Sequence, residues 1–557
     1  MTKPVSKDLV DAARGVVPAD IVFSGARIFN PFTCSWDKGD LAVKDGMILG
    51  TGNYQGKVQN LAGLYIVPGL IDAHVHIESS LLAPKEYARL VAMHGTTTVI
   101  ADPHEIANVA GCEGIEFMLA ERQGAAIDIR YMLPSCVPAT PLDIGGAVLD
   151  AQALLRFCGR DGVAGLGEMM NVPGVLAGDP EIIKKLALLP IRDGHAPFLT
   201  GRDLNAYIFA GPDSDHECTN RAEAEEKLRK GMYIFIREGS TEHNIAELVQ
   251  IVNPATVLRC CFATDDCHAD LLVREGHIDR CIRKAISCGL APELAIRMAT
   301  LSAAERFGLS DRGALTPGKL ADFCVIDDPY RFTVLKVFRS GREIDPGLPT
   351  TPAPLASRVQ CVPPSPEDIR IPGAGMARVI GLVPHQILTE SLQYEIRGDA
   401  VPDNGRDILK VVVCNRYGKN VRGIGLVHGF GFRIGAIACS ISHDAHNIVA
   451  VGTSDSEICS AIAAVVNAGG AMAAVIGSSA TVLPLDCAGL MSTLPYDEVA
   501  RRLGSLAEVT NTMGGIEDPF MYLSFLALTV IPALRITDRG VFDAAGFHDV
   551  PLFVNQE

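Results

Sequence analysis

Positive charge is in short supply in this chain: 49 Lys and Arg stand against 65 Asp and Glu, leaving a formal net charge of −16 over 557 residues. Nucleic acid or an anionic membrane would be repelled, so neither is expected as a partner, and a small neutral or weakly basic substrate fits better. An apolar h-region is missing from the N-terminal MTKPVSKDLVDAARG, which therefore does not read as a secretory signal. The 16 cysteines contain no CxxC pair. That spacing argues against a disulfide framework and for reduced thiols in the cytoplasm, most of them acting as small buried hydrophobes. Internal repeats with a fixed period of about 20–50 residues are missing as well. One uncharged run, from Ile458 to Leu485, is long enough at 28 residues to need a membrane check. Asn467, Gly469–Gly470 and Gly477 punctuate it and Pro484 closes it, so it reads as a small-residue helix, a Gly-Gly turn and a buried strand.

What is present is a folded globular composition, 48% apolar and 20% charged, on a chain long enough for two or three domains. Residues 1–67 and 310–345 both show short strands and turns, and are expected to form one small β-rich domain. Between them, over 68–309, short apolar runs alternate with helical segments such as KEYARLVAMHG and EIIKKLALL. That alternation predicts a (β/α)₈ TIM-like barrel. Its strand candidates are Tyr65–Val67 leading into HVHI, Thr97–Ala101, Ile127–Leu133, Val163–Gly167, short runs before His195 and His216, Tyr233–Arg237 and Val257–Ala263. Residues 345–374 hold eight prolines and end in GAG, which marks a linker over 346–374. The remainder, 375–557, reads as a C-terminal α/β domain, so the whole belongs to the α/β class.

The chemistry starts at Pro68-Gly-Leu-Ile-Asp-Ala-His-Val-His76. Side chains alternate faces along a strand, so His74 and His76 project to one side, and at the C-terminal end of a barrel strand that side is the mouth. A lone HxH is a weak signal. It gains weight from the other ligand types, because Glu168 in VAGLGEMMN, His195 in DGHAP, His216 in DSDHE and Asp265 in ATDD each fall where a barrel strand would end. An acidic side chain closing an apolar strand is costly unless paired or metal-bound.

This order of HxH, a fourth-strand bridging group, His, His and Asp resembles the amidohydrolase superfamily. Most of its members bridge two metals with a carbamylated lysine, whereas Glu168 stands here in GEMMN. That replacement, with ADPHEIANVAG, DGHAPFLTGRDLNAY, DHECT, GMYIFIREGS, HDAHNI, LPLDCAGLM and EDPFMYLSFLALTVIPALRITD, is similar to the adenine deaminase family. The resemblance runs from about residue 20 to the C-terminus. It implies two divalent metal ions, manganese or iron with zinc as the alternative. His74, His76 and Asp265 would hold one ion, His195 and His216 the other, and Glu168 would bridge them. A hydroxide shared by the ions would attack C6 of adenine, releasing ammonia and leaving hypoxanthine, with Asp265 as general acid and base. Another aminopurine or a cyclic amide is the alternative substrate, because Cys267-His268-Ala269 stands where the family usually has Arg-His-Pro. A homodimer or higher homo-oligomer is expected from the apolar C-terminal region.

Further candidates carry weaker signals. His104 and Glu105 are expected as catalytic residues at the pocket, with Asp102 as N-cap and Pro103 at N1 of the following helix. Strand alternation allows only one of Asp265 and Asp266 to point inward, and Asp265 is preferred. Arg237 and Glu238 are pocket residues or an ion pair at its rim. His443 and His446 could reach the site from the last domain. His94, His243, His277, His385, His428 and His548 carry no spacing signal and are assigned to surface or packing. His76-Ile-Glu78 imitates half of the zinc nucleobase deaminase signature, but the required PCxxC is missing.

Overall fold

The computed structural model describes residues 6–554 except 141, 346, 348–349, 385, 387 and 398–400. The expected barrel is present. A five-stranded parallel sheet runs Leu70–Val75, Thr96–Ala101, Asp128–Leu133, Val163–Met169 and Arg192–Gly194, and a three-stranded one runs Ser214–Asp215, Tyr233–Arg237 and Cys260–Ala263. Two sets of main-chain bonds close them into a ring. On one side Asp265 N donates to His74 O at 3.0 Å and His76 N to Asp265 O at 3.3 Å; on the other Asp213 N donates to Arg192 O at 3.3 Å. The strands are short and rich in β-branched residues, as in TTTVIA, and are buried on both faces, as parallel strands covered by helices must be.

Three local readings differ from expectation. Tyr65–Pro68 is not the first barrel strand; it pairs with Phe323–Ile326 and Arg27–Asn30 in the flanking sheet. The chain changes sheet at Gly69, where a Cβ would lie 2.2 Å from Thr97 Oγ1. The eighth strand starts at Cys260 rather than Val257, because Asn253 accepts from the Ala255 and Thr256 amides and holds a 3₁₀ turn over Thr256–Arg259. The helix after the second strand begins at His104 with Pro103 in the cap position, which frees Asp102 for another contact. The fifth and sixth strands were faint in the sequence because their residues are polar: buried Arg306 holds Asp193 at 2.9 Å and Asp213 at 2.7 Å beneath them.

Two antiparallel-rich sheets flank the barrel, drawn from residues before 69 and from 323–343. After residue 345 the described part of the Pro-rich segment lies against the protein, with Leu355, Ile369 and Ile371 buried. The C-terminal region is built mostly from strands. Its eight-stranded sheet is covered by helices Asp455–Asn467 and Tyr496–Met513, and the uncharged run folds as helix, Gly-Gly turn and strand Ala471–Ile476. Among the described residues no helix is long and apolar enough to cross a membrane. One apolar core continues from Ile129 and Tyr131 of the barrel into Val411 and Val449 of this sheet. Main-chain bonds from Ser492 N to Leu81 O (2.7 Å) and from Ala83 N to Ser492 O (3.1 Å) tie it to the barrel mouth.

His277, assigned to surface or packing, is a fully buried hub. It lies 2.8 Å from Thr96 Oγ1, 2.9 Å from the Tyr87 hydroxyl and 3.0 Å from Asp72 Oδ2. Asp72 also accepts from the His74 and Thr264 amides, both at 3.2 Å, so it locks the first barrel strand to the eighth. His385 lies outside the described residues. Asp72→Ala strands several buried donors and is expected to lower unfolding stability by about 3 kcal/mol in urea denaturation. A loss under about 0.5 kcal/mol would show the lock to be dispensable.

Candidate metal centre

Each expected ligand sits at the C-terminal end of a barrel strand, and the barrel brings them to one place. His74 Nε2 and His76 Nε2 are 3.2 Å apart, edge to face. Asp265 Oδ1 is 3.5 Å from the first and 3.1 Å from the second. Glu168 stands between two groups of imidazoles: its Oε1 is 3.3 Å from His76 Nε2, while its Oε2 is 2.8 Å from His195 Nδ1 and 3.1 Å from His216 Nε2. His216 stacks on His74 with ring centroids 4.1 Å apart. All except His195 are buried.

The local structure explains these positions. Glu168 ends GLGE, and Asp102 Oδ2 accepts its amide at 2.9 Å. A Cβ on Gly167 would lie 2.0 Å from that same oxygen, so the contact depends on the glycine. Asp102 therefore secures the fourth strand rather than capping a helix. Asp265 has φ of +55°, which takes it out of strand geometry, so the alternation that allowed only one inward aspartate does not apply. Asp266 also comes near His76, and the Ser79 hydroxyl donates to it.

The donors suit divalent cations. His76 Nδ1 lies 3.0 Å from the Asp102 carbonyl and must donate to it, which leaves Nε2 as a lone pair facing the carboxylates. Burial would push Glu168 and Asp265 up, yet neighbouring imidazoles hold both well below the usual carboxylate range. Burial acts to lower His195, and the Glu217 and Glu168 carboxylates outweigh it and lift the ring to about 9. The buried anions thus call for positive charge at this point, which divalent metal ions would supply.

Around this centre, His104 places Nδ1 3.3 Å from Glu168 Oε1 and Nε2 3.3 Å from Glu105 Oε1. Glu105 is gripped from the C-terminal region by His443 Nδ1 at 2.5 Å and by His446 Nε2. Arg237 is buried and bonds Asp265 Oδ2 at 2.8 Å and Glu217 Oε1 at 2.5 Å. Glu238 turns away from it, to His243 at 2.7 Å and to Lys284. Glu217, one residue beyond His216 in DHECT, lies 3.4 Å from His216 Nε2, and sequence reasoning passed over it because nothing in its spacing separates it from a surface glutamate.

Comparison with known proteins agrees with this picture. The model of the amidohydrolase family, a family of metal-dependent hydrolases, matches residues 65–243 and 241–344, and that of the adenine deaminase C-terminal domain matches 386–548. An adenine deaminase from Methanoregula boonei is 65% identical over 553 residues, covering 99% of each chain. One from Methanoculleus marisnigri is 62% identical over 519 residues, 92% of this chain and 99% of its own. One from Desulfatibacillum aliphaticivorans is 44% identical over 567 residues, covering 99% and 100%. With these likenesses spanning barrel and C-terminal region alike, the chain belongs to the adenine deaminase family of the amidohydrolases.

Proposed function

We propose that this protein hydrolyses adenine to hypoxanthine and ammonia, using two divalent metal ions. His74, His76 and Asp265 would hold one ion and His195 with His216 the other, with Glu168 between them. One observation carries the reading: Glu168 turns Oε1 to one set of imidazoles and Oε2 to the other, in a chain 65% identical to an adenine deaminase along its length. The likeness supports the substrate and the donor geometry supports the chemistry. Nitrogen and oxygen donors without thiolate suit manganese or iron, with zinc as the alternative. When bound, such ions lower the pKa of a shared water far enough to offer hydroxide near neutral pH.

The protein's own groups do the rest. Arg237 holds Asp265 Oδ2, so Oδ1 stays aimed at the ligand cluster. There it takes the proton of the attacking water and returns it to the departing amine. His104 faces Glu168 on one side and Glu105 on the other, and steadies charge as it develops on the purine ring. Glu105 is the catalytic partner that fixes the tautomer of His104. Near-complete burial of these groups keeps bulk water from the reacting carbon. The scattered cysteines and the acidic charge support a cytoplasmic enzyme without nucleic-acid or membrane partners, and the apolar C-terminal region supports a symmetric homodimer or larger homo-oligomer.

Purified manganese-loaded protein is expected to release ammonia from adenine, to lose that activity on chelation and to regain it with manganese or ferrous iron. Absence of turnover with two metal equivalents bound, or turnover only with another heterocycle of a test panel, would overturn the substrate. Glu168→Gln is expected to lower bound metal by elemental analysis and to cut kcat/KM on the order of 10³-fold. His104→Asn should keep both metals yet lose roughly 10²–10⁴-fold in kcat. Loss of metal in that variant would mark His104 as a ligand instead.

A further inference from the structure

The loop Ser442–Asn447 of the C-terminal domain enters the barrel mouth and brings more than the two histidines that grip Glu105. His443 and His446 with Glu105 look at first like a third metal site, since two imidazoles and a carboxylate converge within 4.8 Å. The hydrogen bonding argues otherwise. The Ser442 amide donates to His446 Nδ1 at 3.3 Å, so Nδ1 is the acceptor and the ring proton sits on Nε2, which donates to Glu105. A ligating imidazole shows the opposite arrangement, with its second nitrogen donating. The trio is a clamp. His443 adds a stack on Phe525 at 4.5 Å, its amide donates to Ser524 O at 2.9 Å, and the Tyr417 hydroxyl donates to Ala445 O at 2.7 Å.

A loop held this firmly fixes the residue between the two histidines. Asp444 is 5% exposed, and its Oδ2 has no hydrogen-bond partner among the described residues. Its Oδ1 lies 3.9 Å from His104 Nε2, and the other nitrogen of that ring lies 3.3 Å from Glu168. This carboxyl, with one oxygen unpartnered, is therefore one imidazole away from the carboxylate at the centre of the candidate ligand cluster. A buried polar atom left without a partner is costly and calls for an explanation. We propose that Asp444 is the specificity-determining residue of the site, pairing its carboxyl with the N3 and N9–H edge of a free purine base and rejecting purines substituted at N9. This rests on the adenine reading above. Burial lifts the Asp444 carboxyl to about 7, so near neutral pH it has a proton to give to N3 and a free oxygen to accept from N9–H. A substituent on N9 removes that donor and occupies the space of the acceptor.

The test uses full-length, metal-loaded protein with adenine as substrate and 9-methyladenine as competitor. Asp444→Leu keeps a side chain branched at Cγ but without hydrogen bonds, and Asp444→Asn keeps one donor and one acceptor. The leucine variant is expected to keep two metal equivalents and a wild-type melting curve while KM for adenine rises about 30-fold or more. The wild type should bind 9-methyladenine far more weakly than adenine, and the leucine variant should bind both within about threefold, whereas asparagine recovers most of the loss. An adenine KM within twofold of wild type in the leucine variant would overturn the role of Asp444. An asparagine variant as impaired as leucine, or loss of metal in both, would make the residue structural and also overturn it. A wild type that turns over no adenine would instead bring down the functional reading, and this inference with it.

Discussion

Two carboxylates, Glu168 and Asp265, are taken out of water at one end of a barrel, and the rest of the molecule is arranged around that cost. Neither could remain ionised there alone, since desolvating an unpaired carboxylate is worth several kcal/mol. Four imidazoles answer part of the demand: His74 and His76 from the first strand, and His195 and His216 from the ends of the fifth and sixth. Arg237 answers another part by holding the far oxygen of Asp265, and it stays charged because Glu217 and Asp265 both bond it. Divalent cations held by these side chains would complete the balance, and the same charge would favour ionisation of a bound water.

The supporting shell is as ordered as the donors. Asp102 acts twice, its carboxylate on the Glu168 amide and its carbonyl on the His76 ring, so one residue just past the second strand positions candidate ligands from the first and the fourth. Asp72 ties the first strand to the eighth beneath the donors, through Thr264 and His277. These contacts cross the barrel, so a shift in any strand would move several donors together. The C-terminal region belongs to the same construction. It shares an apolar core with the barrel and inserts His443, Asp444 and His446 into the mouth, where the clamp on Glu105 keeps that carboxylate ionised although burial alone would raise it.

Much of this is legible in the amino-acid sequence. The pair His74 and His76 was readable as candidates because strand geometry puts i and i+2 on one face, and Glu168 and Asp265 because an acid ending an apolar run is costly unless paired or metal-bound. The barrel followed from the alternation of runs and helices, although its fifth and sixth strands were faint, being the short, polar Arg192–Gly194 and Ser214–Asp215, beside which Arg306 from far along the chain pairs with Asp193 and Asp213. Other features left no local trace. His277 carries no spacing signal because its partners, Tyr87, Thr96 and Asp72, come from three other elements. Asp102 looked like a helix cap because cap patterns are local, while its true partner lies 66 residues away.

The sequence by itself determined the local periodicities: which residues alternate, where strands end, which side chains are too costly to bury without a partner, and hence the barrel and the candidate donors. Tertiary structure alone decided which of these groups meet. It set Glu168 between two sets of imidazoles, turned Asp265 out of strand geometry so that both aspartates face the mouth, and brought the loop at His443 against Glu105 across 338 residues of chain. The reason is the range of the forces involved. Backbone preference and side-chain alternation act over a few residues and are written in order along the chain, whereas charge pairing and desolvation depend only on distance in space, which the closed barrel and its shared core create.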